Sequence, residues 1–572
     1  MPASVRQYLK EISAVGAEAT EHSYRSPLEI FLKTLAGDAA KTRKTGKLTV
    51  LHEPSRKKYI GAPDFLILNN GGAAVGCVEC KNPGDNLDAL AGGKQVKKYA
   101  ALSPNIILTD YYRFILLREG KIADDIKLTK KSGAKELQAA EELLHAFFAA
   151  EAQSIGDAKE LAAALALRCA PLRDALVEIL PDDKSKLSGL FKSFQQTIYR
   201  ELDGAQFADA LAQTLVYGLL MAKLKASDGE KLDLYNAEKH IPQNFALIGE
   251  IVGFLKELRR AEYQSVQYLT ESVLAAVNAM DERAVADSMA YKKNTGGEDP
   301  YLNFYETFLA AYDAEMKKSR GVYYTPPSVA RFIVRAADDI LRRDFGLAKG
   351  LGDPKVTALD FAAGTGTFML EMFRQIFGEA SPAQRRALAR EHLLKNFYGF
   401  EFLIAPYVIA HLKLSRFLED NGAALQNGER VHVYLTNTLE QVSKQTAMDF
   451  MPALVEETAT AQQIKNRDIL VITGNPPYSA VSQNNGEWIK TLLRAYFQAD
   501  GKPLGERNPR WLQDDYVKFI RFAQWKMEQI NEGVVAIITN HAFLDNPTFR
   551  GMRESLLKTF NRLYFLDLHG NS

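Results

Sequence analysis

One short run, Gly474-Asn475-Pro476-Pro477-Tyr478, carries residue types that suit chemistry on a flat heterocyclic base. It follows an apolar stretch that predicts a buried strand of a parallel sheet. Asn475 offers a side-chain acceptor and the carbonyl of Pro476 a second, while Tyr478 offers a face for stacking. These groups suit a flipped adenine, whose exocyclic amine needs acceptors and whose ring needs an aromatic partner. The alternative is a strand that ends in a plain Pro-Pro turn.

A second run, residues 356–368, predicts a strand, a glycine turn and the start of a helix. Gly364 and Gly366 let the backbone approach a ligand, and the helix N-terminus behind them favours a carboxylate. Asp360, at the end of the strand, can accept an ammonium group. A Gly-x-Gly pattern alone is weak evidence for a ligand site. Its position ahead of the Asn-Pro-Pro-Tyr run makes that evidence much stronger.

With a third run at 321–327, these stretches resemble motifs X, I and IV of the γ class of DNA N6-adenine methyltransferases, in that order. The resemblance covers roughly residues 315–572 and implies S-adenosylmethionine as cofactor. The implied cofactor-binding residues are Thr325, Asp360, Ala362, Gly364, Gly366, Glu401 and Asn437. The implied catalytic residues of methyl transfer are Asn475, Pro476, Pro477 and Tyr478.

The resemblance also assigns a role to four of the cofactor residues. Thr325 holds the methionine carboxylate and Asp360 its amine. Glu401, at the end of a predicted second strand, accepts from the ribose hydroxyls. Asn437 follows a predicted third strand, where the family often has Asp, and it can still hydrogen-bond the cofactor's adenine amine.

Near the amino terminus, Asp64 begins one apolar run, and Glu79 and Lys81 lie in the next. The two runs predict a hairpin, and residues two apart on a strand share one face. Two carboxylates and an ammonium would then lie close together. Carboxylate oxygens suit Mg²⁺, which acidifies a bound water and neutralises charge on a phosphate. The alternative is a surface Asp beside a Glu/Lys strand pair.

Pro63-Asp64 and Glu79-Cys80-Lys81 resemble the PD-(D/E)xK nuclease motif. The resemblance implies Asp64, Glu79 and Lys81 as catalytic residues, with Asp64 and Glu79 as metal ligands. Glu21 on the preceding helix and Gln95 on the following one are possible supporting residues. Residues 41–60 carry seven basic residues against one acidic, which suits phosphate contact or an ordinary solvated face.

Composition describes an ordinary globular protein, 47% hydrophobic and 25% charged over 572 residues, with a net charge of +1. No apolar run has the length of a membrane span and no signal peptide opens the chain, which predicts a cytoplasmic protein. The three cysteines, Cys77, Cys80 and Cys169, are expected to be reduced core residues. No Pro-Cys dipeptide occurs, which leaves C5-cytosine methylation without an obvious nucleophile.

The predicted fold is multidomain α/β. It comprises a small PD-(D/E)xK α/β nuclease core at residues 1–150 and an all-helical connector at 151–310. A doubly wound, Rossmann-like, S-adenosylmethionine-dependent methyltransferase follows at 311–572, since strands alternate with helices there. Residues 292–300 predict a mobile loop. The runs 534–539 and 563–568 predict two late strands.

This order resembles single-chain restriction–modification enzymes of the type IIG or type ISP-like kind. The resemblance implies adenine methylation with S-adenosylmethionine and Mg²⁺-dependent cleavage of double-stranded DNA. No Gly-x-x-x-x-Gly-Lys-[Ser/Thr] run occurs, so no ATP-driven motor is expected. Two alternatives stay open. One is a methyltransferase with an inactive, DNA-binding nuclease-like domain, and the other is a non-catalytic DNA-binding fragment.

The family's last strand and its target-recognition domain have no counterpart before Ser572. A truncated form or a fragment is therefore expected. Such a chain would bind the cofactor and carry out little site-specific methylation or cleavage. The sequence leaves the oligomeric state and the recognition sequence undetermined.

Overall fold

The structure is a computed structural model, and its described part comprises many ranges of the chain. These are residues 2–15, 21–42, 48–52, 63–68, 74–93, 96, 99, 103, 105–118, 120–150, 155–181, 185–198, 201–260, 263–290, 299–312, 325–441, 451–478, 482, 484–505 and 510–568. The chain divides into two compact units. Unit 1 comprises Met1–Ala175, Ala222–Ala237 and Leu255–Met289, and unit 2 comprises Leu176–Met221, Glu238–Phe254 and Ala290–Ser572.

Unit 1 contains a mixed six-stranded sheet in the order β1-β2-β3-β4-β5-β6. The strands are β1 Thr49–His52, β2 Phe65–Leu68, β3 Ala74–Cys80, β4 Asn105–Thr109, β5 Arg113–Arg118 and β6 Lys121–Lys127. All neighbours are antiparallel except β3 and β4, which are parallel. The predicted hairpin at β2 and β3 and the predicted strands at β4 and β5 are confirmed.

Helices cover this sheet and extend unit 1. They are Pro2–Ser13, Glu21–Thr42, Leu87–Ala91, Ala134–Ala149, Gln264–Asn278 and Glu282–Ser288. The ring of Phe147 packs directly on β3 at Gly76, where a Cβ atom would come within 2.4 Å of it. A side chain at position 76 would therefore push this helix off the sheet.

The described residues of the predicted connector form helices, apart from one isolated bridge between Ile155 and Met280. Two of these helices, Ala158–Ile179 and Gly204–Lys225, contribute residues to both units. Helix Gly204–Lys225 is long and apolar enough to cross a membrane, but 89% of its apolar window is buried inside the protein. Residues 292–298 of the predicted mobile loop lie outside the described residues.

Unit 2 contains a parallel five-stranded sheet in the order β13-β10-β7-β8-β9. Its strands are β7 Ala358–Asp360, β8 Phe397–Glu401, β9 His432–Leu435, β10 Val471–Gly474 and β13 Val534–Ile537, and a small hairpin adds β11 Gln498–Ala499 and β12 Lys502–Pro503. This arrangement confirms the predicted doubly wound sheet, because the first strand in sequence lies at its centre.

Several helices of unit 2 precede β7, and others connect its successive strands. They are Lys186–Thr197, Ala246–Gly253, Pro300–Tyr312, Pro327–Arg343, Thr367–Gly378, Pro382–Leu388, Ile404–Asp420, Pro452–Asn466, Glu487–Leu493, Asp515–Ile530, Ala542–Asp545 and Arg550–Thr559. The glycine turn places Gly366 at the N-cap of Thr367–Gly378 with a φ of 77°, a left-handed conformation that a side chain would strain.

The prediction of a strand at 563–568 is wrong. These residues have no regular secondary structure, and the side chains of Tyr564, Phe565 and Leu566 are exposed. Among the described residues, β13 pairs only with β10, so no strand lies beside its other edge. The β-type pattern of this run lacks the partner that would turn it into a strand.

Candidate active sites

The carboxyl edge of the unit 2 sheet brings together four of the predicted cofactor and catalytic residues. Asp360 ends β7 and Glu401 ends the neighbouring β8. Asn437 follows β9, and Asn475 follows β10 on the other side of β7. Because all these strands are parallel, their carboxyl ends meet at one edge, where ligands of such sheets bind.

Asp360 is a buried carboxylate that is only partly satisfied. Its Oδ1 accepts from the Ala362 backbone N–H at 3.3 Å. Its Oδ2 is buried and has no hydrogen-bond partner among the described residues. Burial raises the pKa of Asp360 to about 8, and the nearby Glu401 adds to that rise. A buried carboxylate oxygen without a donor suits an ammonium group, such as the one on the methionine part of S-adenosylmethionine.

The cation that influences the pKa of Asp360, Lys413, already pairs with another carboxylate. Lys413 is fully buried and forms an ion pair with Asp299, and it also donates to Thr367 Oγ1 at 3.2 Å. Its charge lowers the pKa of Asp360, but that effect is smaller than the effect of burial. Lys413 therefore leaves the free oxygen of Asp360 open to a cation from a ligand.

Glu401 holds the glycine turn. Its Oε2 accepts from the Gly364 N–H at 2.7 Å and its Oε1 from the Leu403 N–H at 2.6 Å. Burial raises the pKa of Glu401 to about 7. Each carboxylate oxygen can accept more than one hydrogen bond. The predicted ribose contacts therefore remain possible while Glu401 fixes the turn.

Replacing Glu401 with glutamine should weaken binding of S-adenosylhomocysteine about tenfold, the worth of one lost hydrogen bond. In either orientation the new amide would point its NH₂ group at the backbone N–H of Gly364 or Leu403. Equilibrium binding by calorimetry measures the effect. Glu391→Gln, at an exposed position of the same unit, is the matched control and should bind like the wild type. Equal affinity in both variants would contradict this role.

The two glycines of the turn do different things. Gly364 has a φ of 54°, and no atom lies within 4 Å of where its Cβ would be. Gly366, in contrast, faces the helix Ile404–Asp420, where its Cβ would meet Ala410 Cβ at 3.2 Å. The open side that a ligand could approach is therefore at Gly364, while Gly366 permits close packing between helices.

The Asn-Pro-Pro-Tyr run is held by hydrogen bonds to its own residues and to the predicted motif X. Tyr478 OH donates to Asn475 Oδ1 at 2.8 Å, and Asn475 Nδ2 donates to Thr325 Oγ1 at 3.3 Å. Gly474 has a φ of 147°, and a Cβ there would come within 2.4 Å of the Phe361 ring. Thr325 thus contacts the Asn-Pro-Pro-Tyr run, whereas its predicted contact with the methionine carboxylate stays a prediction.

Asn437 belongs to a network that the sequence did not indicate. Its Nδ2 donates to Asn484 Oδ1 at 3.0 Å, and Asn484 Nδ2 donates to Asp515 Oδ1 at 3.0 Å. Lys518 Nζ donates to Ser482 Oγ at 2.5 Å. The spacing of Asp515 and Lys518, three apart on one helix face, was the only available signal.

A second cluster lies in unit 1, at the end of the hairpin. Phe65 lies opposite Val78, so Asp64 and Glu79 are the next pair along the two strands. Both are buried, and Lys81 Nζ lies 2.5 Å from Glu79 Oε1. Burial and the charge of Asp64 raise the pKa of Glu79. The structure thus brings Asp64, Glu79 and Lys81 together.

Arg25 is the residue that the sequence reasoning left without a role here. Its Nη2 lies 2.6 Å from Asp64 Oδ1, and Asp64 Oδ2 accepts from the Cys80 N–H at 2.7 Å. Both Asp64 oxygens are therefore in use. No group of three or more His, Cys, Asp or Glu able to hold a metal occurs among the described residues. A metal on Asp64 would therefore compete with Arg25 for that carboxylate.

The supporting nuclease residues cannot be placed. Glu21 begins the helix Glu21–Thr42, but its side chain is outside the described part, as is the whole of Gln95. Most of the basic stretch 41–60 is also outside it, namely residues 43–47 and 53–60. The cysteine prediction is confirmed, because Cys77, Cys80 and Cys169 are buried and form no disulfide bond.

A parallel doubly wound sheet with acidic and amide side chains at neighbouring strand ends is typical of nucleotide-cofactor-binding domains. Residues 298–549 match the family model described as N-6 DNA Methylase. Unit 2 therefore contains an N6 DNA methyltransferase domain, and this family implies S-adenosylmethionine as methyl donor. A search of curated proteins finds no match to the chain.

Three solved structures share the fold. The DrdV–DNA complex, solved by cryoEM, is 22% identical with a TM-score of 0.53, over 98% of this chain and 52% of that one. LlaGI, a Type ISP restriction-modification enzyme solved as a nuclease-deletion mutant with a DNA substrate mimic, is 24% identical with a TM-score of 0.51, over 69% and 31%. LlaBIII, an ATP-dependent Type ISP enzyme bound to DNA, is 23% identical with a TM-score of 0.51, over 74% and 27%. The chain thus spans about half of DrdV and under a third of the other two.

Proposed function

We propose that this chain transfers a methyl group from S-adenosylmethionine to N6 of adenine in double-stranded DNA, as the modification part of a cytoplasmic restriction–modification enzyme. The observation that carries the proposal is the placement of Asp360 and Asn475 at the carboxyl ends of two adjacent parallel strands. One offers a buried oxygen to an ammonium group, and the other offers an acceptor to an amine. The DNA complexes of the structural neighbours support DNA as the substrate.

S-adenosylmethionine supplies an electrophilic methyl group when bound. The adenine amine is a poor nucleophile because its lone pair is delocalised into the ring. Asn475 Oδ1 and the Pro476 carbonyl accept from that amine and hold it in position, so most of the rate gain is positional and electrostatic. Because Tyr478 OH donates to Asn475 Oδ1, an entering base replaces that hydroxyl, and the Tyr478 ring is then available for stacking.

Asn475→Ala should lower methyl transfer to DNA at least about a hundredfold, because the variant loses one polar group aimed at the reacting amine. Its affinity for S-adenosylhomocysteine should change only a few-fold. The assay follows tritium from labelled S-adenosylmethionine into N6-methyladenine over long incubations. Asn466→Ala, at an exposed asparagine of unit 2, is the control and should transfer like the wild type. No N6-methyladenine from the wild-type chain would overturn the proposal.

A second candidate function is cleavage of DNA by unit 1. The convergence of Asp64, Glu79 and Lys81 at one end of the hairpin favours it. The pairing of Arg25 with Asp64 favours the alternative, an inactive nuclease-like module that binds DNA. A cleavage assay with and without Mg²⁺ separates the two. Neither function needs an ATP-driven motor in this chain.

A further inference from the structure

The segment that follows β9 lies at the carboxyl edge of the unit 2 sheet. Thr436 N–H donates to the Glu401 carbonyl at 2.8 Å, and Thr438 Oγ1 donates to the Phe361 carbonyl at 2.7 Å. These bonds fix Asn437 between residues that adjoin the two buried carboxylates. Asn437 is itself buried. Its amide is therefore placed to contact a bound nucleoside.

An asparagine can accept from an amine only when its oxygen faces that amine, whereas an aspartate accepts in either orientation. The hydrogen-bond network decides which way Asn437 points. The Leu439 backbone N–H, which can only donate, lies 3.0 Å from Asn437 Oδ1. The Asn437 NH₂ group must then face Asn484, whose Oδ1 lies 3.0 Å away.

The hydrogen bonds around Asp515, at the other end of the network, require the same orientation of the Asn484 amide. Lys518 has only donors, so Ser482 Oγ accepts a hydrogen bond from it, and the Ser482 hydroxyl donates to Asp515 Oδ1 at 2.5 Å. Asn484 must then direct its NH₂ group at the same Asp515 oxygen, 3.0 Å away. This leaves the Asn484 oxygen for Asn437. Reversing either amide would set donor against donor at one contact and acceptor against acceptor at another.

We propose that Asn484, held by Asp515, is a positioning residue that keeps the oxygen of Asn437 directed at the exocyclic amine of the cofactor's adenine. This inference rests on the proposed function, because it requires an adenine nucleoside at this edge. It adds a determinant of specificity for adenine, which Asn484 and the helix Asp515–Ile530 contribute. The ligand so selected carries an amine, and a carbonyl at that position is rejected.

The test compares the affinities of the full chain for S-adenosylhomocysteine and for S-inosylhomocysteine, its deaminated analogue with a carbonyl in place of the amine. The wild type should prefer the adenosyl compound by about tenfold or more. Asn484→Ala removes the oxygen that accepts from the Asn437 NH₂ group, so it should lose most of this preference. Asn484→Asp combined with Asp515→Asn keeps an acceptor at position 484 and a donor at position 515, and should retain the preference. Asn466→Ala, the same change at an exposed asparagine of unit 2, should leave it unchanged.

An unchanged preference in Asn484→Ala, or a lost preference in the double variant, would overturn the inference. If Asn484→Ala does not fold, as judged by thermal unfolding, Asn484→Leu removes the same acceptor while filling the side-chain volume and should also reduce the preference. A wild-type chain that binds neither compound would contradict the proposed function itself. A wild type that binds both equally would contradict only the orientation of Asn437.

Discussion

Replacing Asp360 with alanine is expected to raise the Kd for S-adenosylmethionine about a hundredfold. The buried Oδ2 of Asp360 has no donor among the described residues, so the ligand's ammonium group would be its partner. Losing a buried charge-assisted hydrogen bond costs about 3 kcal/mol, which corresponds to roughly two decades of affinity. Calorimetric titration measures the Kd directly. Asp360→Asn keeps the size of the side chain and should bind nearly as weakly, because charge is what the site supplies.

The same residue should make cofactor binding depend on pH. In the free protein the pKa of Asp360 is about 8, so at pH 7 the carboxyl is mostly protonated. An ammonium group favours the carboxylate, so binding at pH 7 should release close to one proton, and affinity should rise between about pH 6 and pH 8. Titrations in two buffers of different ionisation enthalpy count the protons. If cofactor binding to the wild type released no proton at pH 7, the result would contradict this account.

Stability of the free protein should follow the opposite trend. The folded pKa of Asp360, about 8, lies above the value of about 3.9 for an unfolded chain. The folded state therefore holds the proton more tightly, and its stability should fall as pH rises from about 4 through about 8. Glu401, with a folded pKa of about 7, adds a loss of the same sign. Asp360→Asn should reduce this loss while weakening cofactor binding, which separates a binding role from a structural one.

The central part of the methyltransferase sheet could be predicted because its signals are local. The apolar runs that became β7, β8, β9 and β10 each end in residues whose chemistry suits a ligand. Parallel strands then bring those ends together, since their carboxyl ends share one edge. In unit 1 the alternation along β3 placed Glu79 and Lys81 on one face, and the structure confirms it.

What the sequence could not predict depends on contacts between distant residues. Arg25 reaches Asp64 from a helix that precedes it by many residues, and no spacing rule links the two. Asn484 acquires its role only because the Asp515 helix lies next to it. The run 563–568 has the composition of a strand, and pairing depends on a neighbour rather than on composition. Tertiary partners, which no local pattern encodes, account for each of these differences.

Lys81→Ala is expected to abolish any Mg²⁺-dependent DNA cleavage while leaving adenine methylation within about twofold of wild type. Lys81 pairs with Glu79 at 2.5 Å in unit 1, whereas the methyltransferase residues all belong to unit 2. Removing a cation aimed at charge that develops on phosphate costs about two to three decades of rate. Nicking of supercoiled plasmid measures cleavage, and tritium incorporation into N6-methyladenine measures methylation. Lys135→Ala, at an exposed lysine of unit 1, is the control.

Lys81 is a cleaner position for this test than Asp64. Asp64→Ala would remove one partner of a buried ion pair with Arg25, and breaking a buried ion pair destabilises a fold by about 3–5 kcal/mol. A loss of cleavage in that variant could then come either from a lost catalytic group or from unfolding of unit 1. The Lys81 side chain is 21% exposed, so its removal leaves Glu79 within reach of water. Cleavage by Lys81→Ala at the wild-type rate would rule out this cluster as the nuclease site. A wild-type chain that binds DNA without cutting it in Mg²⁺ would instead identify unit 1 as an inactive nuclease-like module.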